Sequence, residues 1–229
     1  MSYEYIAKNL SELRSEIDIL AKKANTPKVT LVCVTKSGSD EELIALAKFG
    51  ATDIGENRPG ELNRRGALLS ENGLSVALHE IGNLQRNKVK LIAPNVILIH
   101  SLDNLPLAEV IDREAKKNGR VIDVLIEVNS AEESAKGGVL PKDVSEFARQ
   151  IKSLDGIRLR GIMTMGPVCE DPEDIRPYFR LTKKIFDDLN NARLFEGEPI
   201  LSMGMSDSYR IAIEEGSTLV RVGRRLFIK

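Results

Sequence analysis

Lys36 is the residue of this sequence whose position most favours covalent chemistry. It follows residues 29–34, a nearly continuous apolar run rich in β-branched side chains, which is typical of a buried parallel strand. A lysine at the apolar mouth of a barrel can lose its proton because of desolvation, and a neutral amine attacks aldehydes. Lys36 is therefore a candidate for a Schiff base, and a solvated surface lysine is the simpler alternative.

Residues near the C-terminus could hold a phosphate group. Ser206 and Asp207 follow the seventh apolar run and open a helix, and Gly223 follows the eighth run. Amides at a helix N-terminus bind anions, and these two strand ends are the usual phosphate position of (β/α)8 barrels. We predict an anion site here. The alternatives are a simple N-cap at Ser206 and a simple turn at Gly223.

Three further polar residues have two interpretations each. Arg221 lies two residues before Gly223, so both face the same side of a strand. Its partner is either a ligand or a structural carboxylate, because an unpaired buried guanidinium is costly. His79 lies within the third apolar run, where it either acts as an acid or base or completes a structural hydrogen bond. Asn57 either caps a helix or contacts a ligand.

These residues follow eight apolar runs that alternate with helical patterns. The runs cover residues 29–34, a short stretch around 54, then 76–81, 96–100, 121–128, 159–163, 200–203 and 218–222. Alternating strands and helices joined by short links predict a parallel sheet covered by helices. We predict a closed α/β TIM-type (β/α)8 barrel in a single domain of residues 1–229. Strand count alone leaves an open doubly wound sheet as the alternative.

The helical patterns add one element before the first strand. Residues 6–20 place five apolar side chains at helical spacing and predict an extra N-terminal amphipathic helix. Ser39 and Glu42 form a capping box for the helix after the first strand. Asp171 as N-cap and Pro172 in the first turn begin the helix after the sixth strand.

Charge and composition disfavour several classes of protein. The chain has 33 Lys and Arg against 34 Asp and Glu residues without a dense basic block, which disfavours nucleic-acid and membrane-surface partners. The N-terminus lacks the apolar core of a signal peptide, and no stretch approaches about 18 apolar residues. Cys33 and Cys169 are too few for a disulfide scaffold and lack metal-ligand spacing. We expect a soluble cytoplasmic protein without a metal.

Eight short segments form a specific pattern along nearly the whole chain. They are VTK (34–36), GEN (55–57), HEIGNLQRNK (79–88), IHS (99–101), RGIMTM (160–165), RPYF (176–179), LSMGMS (201–206) and VRVG (220–223). In identity and order they resemble the pyridoxal phosphate homeostasis proteins. The fold of that family resembles the barrel domain of alanine racemase, the fold-type III arrangement of proteins that bind pyridoxal 5'-phosphate (PLP). The resemblance therefore implies PLP as the cofactor.

The resemblance also implies a role for each candidate residue. Lys36 would form the Schiff base with PLP, and Arg221 would lie beside the pyridine nitrogen. Ser206 and Gly223 would hold the phosphate together with the backbone amide of Arg224. Arg224 itself stands where the family often has a threonine, so a hydroxyl contact to the phosphate is lost. The residues implied to lie around the ring are Asn57, His79 and Met203.

Two other positions compare with the family less directly. Lys136 and Gly138 match a K-x-G segment that the family links to a secondary PLP contact. Glu80 stands where the family usually has an aromatic residue after the histidine of the third strand. This difference concerns the packing outside that strand and leaves the role of Lys36 unchanged.

The resemblance implies a PLP carrier or regulator rather than an efficient enzyme. Racemases with this barrel take a second base from an added C-terminal domain, for which no sequence follows Lys229. Arg221 is a permanent cation that would disfavour protonation of the pyridine nitrogen and weaken the ring as an electron sink. The alternatives are a weak amino-acid racemase and a Schiff-base aldolase acting on a sugar phosphate. We expect PLP-dependent apo-enzymes as partners and a monomeric protein.

Overall fold

Eight parallel strands close into a barrel in the computed structural model, which describes residues 3–26, 28–133 and 137–229. Each strand pairs with the next along the chain, and the first strand pairs with the eighth. The strands are β1 (Thr30–Val34), β2 (Asp53–Glu56), β3 (Ala77–Glu80), β4 (Leu98–Leu102), β5 (Ile122–Glu127), β6 (Ile157–Met163), β7 (Ile200–Ser202) and β8 (Leu219–Val222). The predicted (β/α)8 barrel is confirmed, and the open sheet is excluded because β1 and β8 are joined.

Helices cover the outside of the barrel. They are α1 (Glu4–Lys23), α2 (Asp40–Lys48), α3 (Pro59–Glu71), α4 (Val89–Ile92), α5 (Leu105–Lys117), α6 (Val144–Ile151), α7 (Arg176–Asn191) and α8 (Tyr209–Glu214). The predicted N-terminal helix is α1, which packs on α2, α8 and the 3₁₀ turn Arg224–Leu226 that follows β8. Among the described helices, none has both the length and the apolar character needed to cross a bilayer.

The two faces of the strands form two apolar clusters. Outward side chains pack under the helices in a large cluster that includes Leu201, Met203 and Val222. Inward side chains form a small cluster within the barrel, composed of Val32, Leu98, Leu125, Met163 and Leu219. Because successive strand residues face opposite sides, Ser202 and Arg221 are directed inward, between outward-facing neighbours.

The capping box predicted for α2 is present and also fixes α1. The Ser39 hydroxyl accepts the Glu42 N–H at 3.2 Å, and the Glu42 carboxylate accepts the Ser39 N–H at 2.8 Å. The Tyr5 hydroxyl of α1 donates to the same carboxylate. The first helix of the barrel and the covering helix are therefore joined at one acidic residue.

Two predicted helix starts differ in the structure. Asp171 does cap a helix, since its carboxylate accepts the Glu173 N–H at 2.9 Å, but the first turn, Pro172–Ile175, is 3₁₀ and precedes α7. The helix expected to open at Ser206 begins instead at Tyr209. The Ser208 hydroxyl accepts the Met205 N–H at 3.2 Å, which holds the intervening residues in a turn.

Candidate functional site

A cavity of about 920 Å³ opens at the carboxyl ends of the strands. This is the end at which (β/α)8 barrels bind ligands, because the loops that follow the strands converge there. The cavity wall draws residues from the ends of seven strands, all except β4 among those described. Six of the eight predicted site residues line it, namely Lys36, Asn57, Ser206, Arg221, Gly223 and Arg224.

Lys36 lies in the turn that follows β1, with its side chain exposed at the mouth of the cavity. The turn is closed by a hydrogen bond from the Gly38 N–H to the Thr35 carbonyl at 2.9 Å. Strand β1 ends two residues earlier, so the backbone before Lys36 is fixed by the sheet. The backbone of Lys36 is therefore held in place, and its exposed amine is accessible to a carbonyl compound.

The Lys36 turn is held from behind by Arg65, a residue that our sequence analysis did not single out. Its guanidinium donates to the carbonyls of Thr35 at 2.6 Å and Gly38 at 2.8 Å, and to the Glu56 carboxylate at 2.9 Å. Arg65 and Glu56 are both buried. The signal was present in the sequence, because Arg65 lies between Leu62 and Leu69 on the apolar face of α3.

Arg221 lies at the floor of the cavity as a buried cation, with 4% of its surface exposed. Its Nη1 donates to the Ser202 hydroxyl at 2.6 Å and its Nη2 to the Thr164 carbonyl at 3.1 Å. Burial lowers the pKa of Arg221 to about 10, although the nearby Glu127 carboxylate acts to raise it. Neither partner within the described residues is a carboxylate, so the guanidinium keeps N–H groups and charge for a ligand.

Glu127 is a second functional candidate that our sequence analysis missed. It is the last residue of β5, is half-buried and lines the same cavity as Arg221. Burial raises the pKa of its carboxyl group, the Asp103 carboxylate raises it further, and Arg221 acts in the opposite direction. The signal in the sequence was its place at a strand end, on the same face as the inward Leu125.

The predicted anion site lies between the ends of β7 and β8. Ser206 is half-buried there, and Arg224 forms an ion pair with Asp207 at the rim. A Cβ atom on Gly223 would lie 2.7 Å from the Val34 carbonyl oxygen, so only glycine fits at this position. Bare backbone and two arginines, Arg221 and Arg224, therefore face this part of the cavity.

The remaining predicted residues occupy different surroundings. Asn57 is exposed in the cavity wall and does not cap α3, whose N-cap is Arg58. His79 and Met203 do not line the cavity. Met203 is fully buried in the outer cluster under the helices, because alternation in β7 turns Ser202 inward instead. His79 faces the barrel interior, beneath the cavity floor, where it contacts His100 and Asp53.

Of the K-x-G segment, Lys136 lies outside the described residues. Gly138 adopts a left-handed backbone conformation with φ of 107° and packs against Asn129. Cys33 is buried, which raises the pKa of its thiol to about 12, while Cys169 lines the cavity. Cys33 packs in the outer cluster under the helices.

Comparison with known proteins identifies the family. Residues 9–228 match the alanine racemase N-terminal domain family. The pyridoxal phosphate homeostasis protein of Aquifex aeolicus is 39% identical over 227 residues, which cover 98% of this chain and 96% of that protein. This chain belongs to the pyridoxal phosphate homeostasis protein family. The family member from Helicobacter pylori is 34% identical over 226 residues, covering 94% of this chain and 98% of that protein.

Solved structures show the same barrel. PipY of Synechococcus elongatus, solved with PLP bound, has a TM-score of 0.85 at 28% identity and covers 97% of this chain and 100% of its own. A protein from Bifidobacterium adolescentis has a TM-score of 0.87 at 34% identity, covering 98% of this chain and 95% of its own. Alanine racemase of Clostridium difficile shares the fold, with a TM-score of 0.72 at 18% identity over 98% of this chain and 55% of its own.

Proposed function

We propose that this chain binds PLP through a Schiff base on Lys36 and takes part in intracellular PLP homeostasis as a carrier or regulator. One observation carries the proposal: Lys36, the buried cation Arg221 and the bare backbone at Gly223 line a single cavity. These groups suit an aldehyde that also bears a pyridine ring and a phosphate. The names of the relatives, and PLP bound to PipY, support the same conclusion.

The charge and shape of the cavity fit PLP. Many apolar side chains line the cavity, and its charged groups are Lys36, Arg221 and Arg224 with the carboxylates of Glu127 and Asp207. Because Asp207 pairs with Arg224, the buried Arg221 is the cation that favours an aromatic anion. Gly223 leaves room for a phosphate to approach the backbone, since no side chain can occupy that position. The exposed amine of Lys36 lies at the mouth of this cavity, where a carbonyl compound can enter.

Each cavity residue has a defined part in this proposal. PLP, when bound, supplies an aldehyde for a primary amine and a phosphate that anchors the ring. Lys36 holds the aldehyde carbon, and Arg221 directs an N–H group toward the pyridine nitrogen. Ser206, Gly223 and the amide of Arg224 hold the phosphate. Asn57 lies beside the ring, while His79 and Met203, which do not line the cavity, make no direct contact with the cofactor in this proposal.

We favour a carrier or regulator over an efficient enzyme because of Arg221. A guanidinium is permanently charged, so it disfavours a proton on an adjacent pyridine nitrogen and weakens the ring as an electron sink. In this proposal the chain works as a single-domain monomer in the cytoplasm, and PLP-dependent apo-enzymes receive the cofactor. Lys36 would have to be open to water for the cofactor to leave, and its side chain is exposed.

A weak amino-acid racemase is a second candidate, favoured by Glu127. This carboxyl group lines the cavity, and burial raises its pKa above the ordinary value, so it is a candidate to hold or release a proton beside the ligand. Purified protein with PLP and L-alanine tests this candidate by chiral analysis of the product. D-alanine formation that is lost in Glu127→Gln would favour the enzyme, while no turnover beyond that of free PLP would favour the carrier.

Retention of PLP tests the main proposal. Wild type, Lys36→Arg and Lys48→Arg are mixed with PLP, passed through a desalting column and compared by visible absorption. Lys36→Arg keeps the charge but cannot form the Schiff base at neutral pH, so we expect it to lose the bound chromophore. Lys48 is an exposed lysine of α2, and its variant should retain PLP as wild type does. Equal retention by all three proteins would contradict the proposal.

A further inference from the structure

The two histidines of the sequence, His79 and His100, meet inside the barrel. His79 Nδ1 lies 3.0 Å from His100 Nε2. His79 Nε2 lies 3.0 Å from an oxygen of Asp53, and His100 Nδ1 lies 3.0 Å from the Ser202 hydroxyl. Ser202 in turn accepts Nη1 of Arg221 at 2.6 Å. These contacts form one continuous hydrogen-bonded chain across the barrel.

This hydrogen-bonded chain runs from one end of the barrel to the other and is shielded from water along most of its length. His100 and Ser202 are fully buried, and His79 and Arg221 are each 4% exposed. Asp53 is the first residue of β2, at the end opposite the cavity, and its side chain is 21% exposed. The five residues come from strands β2, β3, β4, β7 and β8, so the barrel itself fixes their spacing.

The two ends of the chain determine where its protons lie. The Asp53 carboxylate can only accept, so His79 Nε2 carries a hydrogen. With His79 neutral, its Nδ1 accepts from His100 Nε2–H, and His100 Nδ1 accepts the Ser202 O–H. The Ser202 oxygen then accepts from Arg221, which can only donate. Each of these four contacts then contains one hydrogen, and each donor directs it along the chain from Arg221 toward Asp53.

An extra proton would break this order. A second hydrogen on His79, at Nδ1, would require His100 to carry its hydrogen at Nδ1, directed at the oxygen of Ser202. Ser202 would then accept from both His100 and Arg221, and its own hydrogen would lose its partner. Burial, reinforced by the charge of Arg221, also holds the pKa of His100 well below its ordinary value. For His100, the geometry and the neighbouring charge therefore favour the same neutral state.

Charged groups fix both ends of the hydrogen-bonded chain. Asp53 and Arg221 face it from β2 and β8, Arg14 of α1 acts on Asp53, and Glu127 of β5 acts on Arg221. Burial acts to raise the pKa of Asp53, but hydrogen bonds from His79 and Thr52, with the charge of Arg14, lower it overall. Asp53 therefore stays ionised at neutral pH, and the chain keeps an acceptor at its outer end.

We propose that Asp53, His79, His100 and Ser202 are positioning residues for Arg221, with both imidazoles neutral and protonated at Nε2. The chain keeps a lone pair of Ser202 directed at Arg221 Nη1 and so fixes the plane of the guanidinium at the cavity floor. The remaining N–H groups of Arg221 then point toward the cofactor. This last step rests on the proposed PLP site, whereas the proton positions in the chain do not.

Nuclear magnetic resonance of ¹⁵N-histidine tests the proton positions without PLP. Because the sequence has two histidines, the labelled protein gives two imidazoles, and both belong to the chain. We expect both to be neutral Nε2–H tautomers at neutral pH, and His100 to remain so between about pH 5 and 8, the range in which an ordinary histidine titrates. A charged imidazole at neutral pH, or an Nδ1–H tautomer at His100, would overturn the proposal.

A serine pair tests the connection to Arg221. Ser202→Ala removes the chain contact, whereas Ser101→Ala removes a buried hydroxyl that has no hydrogen-bond partner among the described residues. We expect Ser202→Ala to shift the His100 Nδ1 resonance and to weaken PLP affinity roughly fivefold to tenfold, and Ser101→Ala to change neither. Ser202→Ala should also move the ¹⁵N resonance of the pyridine nitrogen of labelled PLP, because Arg221 is no longer fixed in that variant.

The outcomes separate this inference from the proposed function. Failure of wild type to bind PLP would contradict the proposed function, while the histidine tautomers would still decide the order of the chain. PLP bound equally well by wild type and Ser202→Ala, with an unchanged pyridine resonance, would overturn the positioning role alone. Unfolding of Ser202→Ala is checked by circular dichroism, and Ser202→Thr, which keeps the hydroxyl, should then restore the wild-type resonances if the hydroxyl is what matters.

Discussion

Glu80 is completely buried at the end of β3 and pairs with Glu56 of β2 in the strand register. One of its carboxyl oxygens accepts the Gly82 N–H at 3.0 Å, and the other is buried with no hydrogen-bond partner within the described residues. Burial, reinforced by the charge of Glu56 and opposed by the Gly82 hydrogen bond, raises the pKa of Glu80 to about 8. The residue is therefore mainly protonated at neutral pH.

Replacing Glu80 with glutamine should change how stability depends on pH. The ordinary pKa of this group is 4.5 and its folded value is about 8, so wild type loses stability as pH rises through this interval. Glutamine stays neutral and keeps the acceptor for Gly82. We expect Glu80→Gln to match wild type near pH 4 and to exceed it at pH 8 by on the order of a few kcal/mol.

Urea unfolding from pH 4 to 8 measures this difference in the free energy of unfolding. Glu71→Gln, at the exposed end of α3, is the matched control and should follow the wild-type curve. Parallel curves for wild type and Glu80→Gln would show that Glu80 does not change its charge in this range.

Helix α3 connects the barrel to the Lys36 turn through a single buried arginine. Arg65 reaches the carbonyls on both sides of Lys36 and neutralises Glu56, whose side chain is 2% exposed. Removing one partner of a buried ion pair leaves the other charge without compensation. The position of Lys36 thus depends on an element that contributes no atom to the reaction.

We expect Arg65→Ala to destabilise the fold by about 3–5 kcal/mol, because it leaves Glu56 buried and unpaired. The adjacent Arg64 is the matched control, since its pairs with Asp40 and Glu61 are about half exposed. Arg64→Ala should cost no more than about 1 kcal/mol. Chemical denaturation of both variants measures the difference, and similar losses in the two would refute the anchoring role of Arg65.

Helix α1 is fastened to the C-terminal segment by Glu16. Its carboxylate accepts from Arg210 of α8, and from Arg225 at 2.9 Å. Burial acts to raise the pKa of Glu16, but the hydrogen bonds from Arg210, Tyr209 and Arg225 lower it to about 2. This carboxylate therefore stabilises α1 above its ordinary pKa of 4.5, and the stabilisation is lost as pH falls toward 2.

Glu16→Gln should therefore lower the free energy of unfolding by about 1 kcal/mol at pH 7, a value reduced for solvent screening. The difference from wild type should shrink below pH 4.5 and vanish near pH 2. Glu12→Gln is the control, because Glu12 forms an exposed pair with Lys8 at 3.9 Å. Thermal unfolding at several pH values measures both, and a deficit in Glu16→Gln that is constant with pH would contradict this role.

Local patterns predicted the elements better than the contacts between them. The apolar runs and the capping box located the strands and α2, because their signals lie within a few residues. The partners of Arg65 and His79 depend on other elements, so no local pattern could name them. Shifts of register in β4–β5 and β5–β6 also interrupt simple alternation, which limits any assignment of inward residues from the sequence.

At the scale of the whole molecule, the closed barrel brings distant segments together. Val32 of β1 pairs with Arg221 of β8, so the sheet places the turn after β1, which contains Lys36, beside the segment that contains Gly223. The sequence separation of these two regions is nearly the full length of the chain. The motifs predicted separately as an amine site and an anion site therefore form one cavity, as the family resemblance implied.

Borohydride reduction followed by peptide mass mapping tests the central claim most directly, because it fixes any Schiff base to the lysine that formed it. The protein is mixed with PLP, reduced, digested and compared with Lys36→Ala treated in the same way. We expect a phosphopyridoxyl mass on the peptide that contains Lys36 and none on that peptide in the variant. No adduct at Lys36, or labelling spread evenly over the surface lysines, would contradict the proposal and favour a sugar-phosphate aldolase.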